Sequence, residues 1–181
     1  MSKQSVILIV FLACILGGCT TYSTPRYSTS PANTLMLKSI SGKLVNIGKF
    51  TSTMPNQNEA ECFYIGPVAW VQGADGEPFS EYLRKALLEE LRNASLFSTS
   101  ASTTLRGNLD SIDVSISGGV WSIGLTVQSS NGRSISITEK YIFPSGIGTF
   151  ACGQAAQSFL PAVQDLIGKL VRSQEFVDLL R

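Results

Sequence analysis

The chain has 181 residues, with 14 basic and 13 acidic side chains and no histidine. The near balance of charge, without any basic block, argues against a nucleic-acid-binding protein. Because histidine is the commonest general base, its lack also excludes Ser-His-Asp and Cys-His enzymes.

The amino-terminal residues have the pattern of an export signal. Lys3 precedes an apolar stretch, Val6–Leu16, which is much shorter than the roughly 20 residues that a membrane-spanning helix needs. Gly17 and Gly18 then stand directly before Cys19. This arrangement resembles the lipobox of bacterial lipoproteins. The resemblance implies a signal peptide over residues 1–18, a diacylglycerol thioether on Cys19 and a palmitate-type acyl chain on its new amino group. The alternative is an ordinary secretory signal, with Cys19 incidental.

The residue after the cysteine indicates the destination. Thr20 stands there instead of aspartate, and in enteric-type sorting this implies passage to the outer membrane. Two or three acyl chains anchor a protein stably where one chain is marginal. We therefore expect a protein that is held in the outer membrane by lipid on Cys19 and faces the periplasm.

The next segment has the composition of a linker. Residues 20–33 include seven Ser or Thr and two Pro, which cannot build a core, so we expect residues 19–33 to form a lipidated flexible tether. Fully extended, it would reach about 45–50 Å. Tyr22 and Tyr27 are then linker residues or, alternatively, residues at the lipid interface.

Residues 34–181 are long enough for one periplasmic domain. Leu35–Phe50 has a strand-like pattern, and residues 51–60 form a loop. Pro78 begins a helix, on which Glu81 and Lys85 have the spacing of an ion pair. One apolar stripe follows this helix: Phe79, Tyr82, Leu83, Ala86, Leu87, Leu91 and Ala94.

A three-stranded meander is predicted next. The apolar positions before and after residues 110–111 differ in phase, which a β-bulge there would reconcile. Residues 121–128 alternate strictly between apolar and polar. In the following turn, a three-residue loop pairs Val127 with Ile135, whereas a two-residue loop would put a polar residue opposite Val127. We therefore expect a type I turn followed by Gly132 in the left-handed conformation.

A second helix is predicted over Phe150–Arg172, with a kink or restart at Pro161. Ser173 then has the position of an N-cap for a short helix, Gln174–Leu180. The order is strand, helix, three antiparallel strands and helix. It predicts an α+β fold, a two-layer sandwich of a mainly antiparallel sheet and two packed helices.

Two cysteines remain in the mature domain, Cys62 and Cys152. An even pair in an oxidising compartment predicts a disulfide, which would contribute about 4–5 kcal/mol by the chain-entropy model. The alternative is two buried thiols. A metal site is disfavoured because two thiols without histidine are poor zinc ligands.

Few residues are candidates for a functional site. Trp70 lies in a loop-like stretch, where it is either a core residue or an exposed contact for a partner, because tryptophan is enriched at interface hot spots. Asp110 and Asp113 are either a pair of carboxylates or solvent-facing charges on a strand, or Asp110 shapes the bulge. We expect no catalytic residues, no metal and no cofactor.

Several segments resemble uncharacterised proteobacterial outer-membrane lipoproteins of this size, over roughly residues 40–180: Pro78–Leu87, Glu90–Leu91, Leu105–Leu109, Trp121–Ile123, Ser129–Gly132 and Phe159–Gln164. The element order also resembles small periplasmic α/β lipoprotein modules of the YajG and LpoB types and the amino-terminal domain of TolB. The resemblance implies an assembly or interaction part and not an enzyme.

Three functions follow as expectations. The first is a non-enzymatic, lipid-anchored periplasmic module that binds another envelope protein and serves an envelope assembly. The alternative is an auxiliary component of an envelope transport system that binds lipid or another small ligand in an apolar cavity between sheet and helices. The third is a carboxylate-only hydrolase, for which no convincing pair of acidic residues is found.

Overall fold

The computed structural model describes residues 20–40, 43–62, 68–144, 146 and 149–181. The predicted signal peptide and Cys19 lie outside the described residues, so both stay predictions. Among the described helices, none is both long and apolar enough to cross a bilayer.

The described residues form seven strands, four α-helices and a short 3₁₀ turn at Ala74–Gly76. In chain order the elements are β1 Thr20–Ser23, α1 Pro31–Ser39, β2 Val45–Ser52, β3 Glu59–Cys62, β4 Ala69–Gln72, α2 Phe79–Asn93, β5 Thr103–Ser115, β6 Val120–Ser129, β7 Ser134–Ile142, α3 Thr149–Arg172 and α4 Gln174–Leu179.

The larger sheet has the order β2-β5-β6-β7. β2 runs parallel to β5, and the β5-β6-β7 meander is antiparallel. The predicted register is confirmed, because Val127 pairs with Ile135. The bulge is also confirmed, as a register shift between Leu109 and Ser111. Gly132 has the expected positive φ, 89°.

A smaller sheet, with the order β1-β4-β3, was not predicted. β1 is parallel and β3 antiparallel to the central strand β4. Each of these strands has four residues, too few for an alternating pattern to be recognised. The α+β class is confirmed, with this second sheet as an addition to the predicted meander.

The predicted strand over Leu35–Phe50 is wrong in its first half, which forms helix α1. Pro31 suits the first helical turn, because a backbone N–H at that position has no hydrogen-bond partner within the helix and proline has no N–H to leave unpaired. Leu35 and Leu37 mimic the alternation of a strand, but Leu37 is fully buried while Leu35 is 69 % exposed. The helix buries a narrow face that includes Asn33 and Thr34, polar residues that gave no apolar signal.

The core between the larger sheet and the helices is filled by aromatic side chains. The Phe159 ring lies 5.0 Å from both Phe79 and Trp121 and 5.1 Å from Tyr82, between ring centroids. Trp121 Nε1 donates a hydrogen bond of 2.9 Å to the carbonyl of Ala155, which satisfies its buried N–H. These side chains lie between the sheet and the helices, where the alternative function, binding of lipid or a small ligand, would need an apolar cavity.

Two local predictions on the helices have different outcomes. The N-cap is confirmed, because the Ser173 side chain accepts a hydrogen bond from the backbone N–H of Phe176. The pairing of Glu81 with Lys85 is wrong. Glu81 instead binds Arg84, at 2.7 Å, and Lys85 binds Glu77 in the segment before α2. Helix α3 continues through Pro161 as a single helix.

Candidate functional site

The segment that precedes α1 is part of the fold, and this corrects the prediction of a flexible tether over residues 20–33. Its first residues form β1, whose Thr21 pairs with Trp70 of β4. Beyond the strand, Tyr82 Oη donates a 2.9 Å hydrogen bond to the carbonyl of Pro25, and Gln164 Nε2 donates one of 2.8 Å to the carbonyl of Ser28. Residues 20–33 therefore belong to the folded domain, whose start was predicted at residue 34.

A buried carboxylate holds this segment in place. Glu90 of α2 is fully buried and accepts three hydrogen bonds: from Tyr27 Oη at 2.6 Å, from the backbone N–H of Ser30 at 2.7 Å and from Thr34 Oγ1 at 3.3 Å. All three donors belong to the segment before or within α1. Burial, and then the hydrogen bond to Glu90, raise the pKa of Tyr27 well above its ordinary value. We call Glu90 and its three donors the amino-terminal lock.

The predicted disulfide between Cys62 and Cys152 is present, with Cα atoms 5.8 Å apart. Cys62 ends β3 and Cys152 lies in the first turn of α3. The bond therefore fixes the start of α3 to the smaller sheet, across 90 residues of sequence.

A groove of about 760 Å³ lies where β1, the end of β7 and the first turns of α3 meet. We call it the anchor groove. The Gly153 position lies under the Tyr22 ring, since a Cβ there would be in ordinary contact with it at 3.6 Å. The neighbouring Cys152 holds this turn through the disulfide. The anchor groove is lined by Tyr22, Phe143, Pro144, Phe150, Gly153, Gln154, Gln157 and Ser158.

The anchor groove is uncharged and apolar. Among the lining residues that the structure describes, none is acidic or basic. Phe143 is buried and forms part of the floor, whereas Phe150 is 82 % exposed. Ile142, which precedes Phe143, is 78 % exposed. A large aromatic side chain left in water at the rim of an apolar groove is a feature of surfaces that are covered in function.

Trp70 lies on the opposite face of the smaller sheet. It is partly exposed in the central strand β4, so it is not in a loop. Because paired residues of adjacent strands point to the same side and successive residues alternate, Trp70 and Thr21 face away from Val71 and Tyr22. Trp70 lines a shallow cleft of about 260 Å³ together with Met54, Ile112 and Val114 and with three acidic residues, Glu59, Glu61 and Asp113.

The charge of this second surface, which we call the Trp70 cleft, is one-sided. Its described lining contains three carboxylates and no basic side chain, and none of the three is in an ion pair within the part of the chain that the structure describes. Asp110 does not belong to it. That carboxylate accepts hydrogen bonds from Asn108 Nδ2 at 2.6 Å and from Thr126 Oγ1 at 2.7 Å, beside the bulge.

Comparisons with known proteins establish the fold and no more. No protein-family model and no curated protein matches the sequence. Among solved structures, the fold is similar to the crystal structure of protein XCC0632 from Xanthomonas campestris, assigned to the family model DUF330. The two chains have a TM-score of 0.57 and 15 % sequence identity, over 88 % of this chain and 96 % of that chain. At this identity the likeness supports a shared α+β architecture only.

The sequence prediction named Trp70 and the two cysteines but missed the groove. Phe150 carried a signal that could have found it, because at helical spacing it falls outside the apolar stripe that begins with Ala151, Ala155 and Phe159. In the structure these three residues are buried and Phe150 is not. Tyr22 gave no such signal, since its neighbours in the sequence are Ser and Thr.

Proposed function

We propose that this protein is a lipid-anchored, non-enzymatic interaction module of the outer membrane, which faces the periplasm and serves an envelope assembly. The observation that carries the proposal is the position of β1. Its first residue, Thr20, directly follows Cys19, the predicted site of lipid attachment. Lipid on Cys19 would therefore attach the membrane to the folded domain itself, without an intervening tether.

The Trp70 cleft supports a protein partner. A partly exposed tryptophan surrounded by carboxylates combines an apolar anchor with a negative rim, which is the arrangement of a binding hot spot with charge selectivity. The expected partner presents an apolar side chain flanked by lysine or arginine. Because Trp70 is paired with Thr21, two residues from Cys19, the partner would be bound close to the membrane.

The test is photo-cross-linking in cells of the full-length protein. A benzophenone amino acid replaces Asn56, an exposed residue of the Trp70 cleft, and in the control it replaces Lys140, an exposed residue of β7. We expect one envelope protein to cross-link at position 56 and not at position 140. Trp70→Ala and Glu61→Lys, each combined with the position-56 probe, should reduce the adduct.

A companion measurement follows lipid attachment. Radiolabelled palmitate should enter the wild-type protein but not Cys19→Ser, and the labelled protein should fractionate with the outer membrane. The protein adduct should be lost in Cys19→Ser, because that variant lacks the lipid that would hold it at the outer membrane. Absence of label would remove the anchor from the proposal, and equal adducts at positions 56 and 140 would remove the partner surface.

A further inference from the structure

We propose that the anchor groove rests against the phospholipid leaflet that holds the acyl chains of Cys19, so that the domain touches the membrane through a folded surface as well as through its lipid. This inference rests on lipid attachment to Cys19, which is part of the proposed function. The occupant of the groove is a glycerophospholipid surface, and the partner protein binds elsewhere.

The length of chain between Cys19 and the groove carries the argument. Tyr22 is the third residue after Cys19, and three residues span at most about 11 Å even when fully extended. The headgroup layer on each side of a bilayer is roughly 5–8 Å thick, from a hydrocarbon core of about 30 Å and a total of about 40–45 Å. With its acyl chains in the core, Cys19 lies at this layer, and Tyr22 cannot be far from it.

The chemistry of the groove fits the same occupant. Tyr22, Phe143 and Phe150 supply aromatic rings, and Gln154, Gln157 and Ser158 supply uncharged polar groups. Aromatic side chains are typical of surfaces that lie at the membrane interface, and the uncharged polar groups here carry no charge that would have to leave water. The acidic Trp70 cleft, on the opposite face of the smaller sheet, lacks this character.

Exposed apolar residues mark the same end of the domain. Phe150 and Ile142 are the most exposed large hydrophobic residues in the described chain, and Ile142 ends β7 beside the groove. Leu44 lies just before β2, at the other end of the larger sheet, where Val45 pairs with Thr103. The nine residues of β7 separate the two ends by about 25–30 Å. One headgroup layer reaches both ends only where β7 lies parallel to the membrane plane, an orientation that the control at position 44 tests.

The experiment places the benzophenone amino acid at position 150 in the full-length, lipidated protein in cells. The position tolerates the change because the side chain is 82 % exposed. The matched control is position 44, an apolar residue that is 52 % exposed. After irradiation, mass spectrometry identifies what is attached. We expect phospholipid adducts at position 150 and none at position 44. The adducts at position 150 should be lost in Cys19→Ser.

Each outcome decides the inference. Phospholipid adducts confined to position 150 support it. Adducts with a protein at position 150, including a second copy of this chain, overturn it, as do equal lipid adducts at both positions or none at either. Palmitate labelling of the same samples separates the two proposals. A labelled Cys19 without lipid adducts at position 150 overturns this inference alone, whereas an unlabelled Cys19 overturns the anchor and this inference with it.

Discussion

The amino-terminal lock predicts different effects for two substitutions of Glu90. In Glu90→Ala, three donors lose their acceptor, and hydrogen bonds to a carboxylate contribute about 1.5–3 kcal/mol each. The Tyr27 and Ser30 bonds are short, while the Thr34 bond is long at 3.3 Å and weak. Removing a buried carboxylate also relieves its desolvation, which offsets part of the loss. We expect a net destabilisation of about 2–4 kcal/mol for this substitution.

Glu90→Gln should preserve the lock. One carboxylate oxygen, Oε1, accepts from both Tyr27 and Ser30, and the amide oxygen of glutamine can do the same. The amide N–H₂ then donates to Thr34 Oγ1 in place of the second carboxylate oxygen. We therefore expect less than about 1 kcal/mol of destabilisation, because each short hydrogen bond is kept.

Hydrogen exchange measured by mass spectrometry distinguishes these effects. All three donors lie between Tyr27 and Thr34, so Glu90→Ala should accelerate exchange in residues 20–39 by local opening. A loss of about 2–4 kcal/mol corresponds to roughly 30- to 1000-fold faster exchange there, while strand β6 should keep its protection. Unchanged protection of residues 20–39 in Glu90→Ala, or equal damage by alanine and glutamine, would refute the reasoning.

Three further predictions concern stability. Replacing Cys62 and Cys152 together by serine should cost about 4–5 kcal/mol in urea unfolding under non-reducing conditions, and wild-type stability unchanged by reductant would contradict this. Phe159→Ala should destabilise the protein by about 3–5 kcal/mol because the ring is fully buried. Phe150→Ala, in the same helix, should change the stability by less than about 0.5 kcal/mol because its side chain is exposed. Equal losses in the two variants would be inconsistent with this difference in burial. Because the pKa of Tyr27 is raised, its contribution to the free energy of unfolding is complete below about pH 10 and falls by about 1.4 kcal/mol per pH unit above it. The stability advantage of the wild-type protein over Tyr27→Phe should therefore shrink from pH 9 to pH 11, and a constant difference would argue against the raised pKa.

The lock also connects stability to the membrane inference. In Glu90→Ala, residues 20–39 should become more mobile. They would then connect Cys19 to the rest of the domain as a flexible tether, as the composition of residues 20–33 predicted. The position-150 probe in this variant should give fewer phospholipid adducts than in Glu90→Gln, because the groove is no longer held beside Cys19. Equal lipid adducts in the two variants would show that the lock does not position the groove.

The amino-acid sequence by itself determined the parts of this fold that depend on local periodicity. The stripe of α2, the strict alternation of β6 and the loop that ends at Gly132 each follow from the spacing of apolar residues, because a helix or a hairpin has only one register that buries them together. The disulfide was predictable from the even number of cysteines and from the oxidising compartment that the export signal predicted.

Only the tertiary structure decided how the first residues of the domain are used. Ser, Thr and Pro in residues 20–33 have the composition of a linker, and nothing local shows that their backbone groups find partners in β4, Gln164 and the buried Glu90. The anchor groove likewise joins Tyr22 to residues beyond position 140, which are distant in sequence. Contacts of this range leave no periodic signal, because each residue is matched to a surface formed elsewhere in the chain and not to its own neighbours.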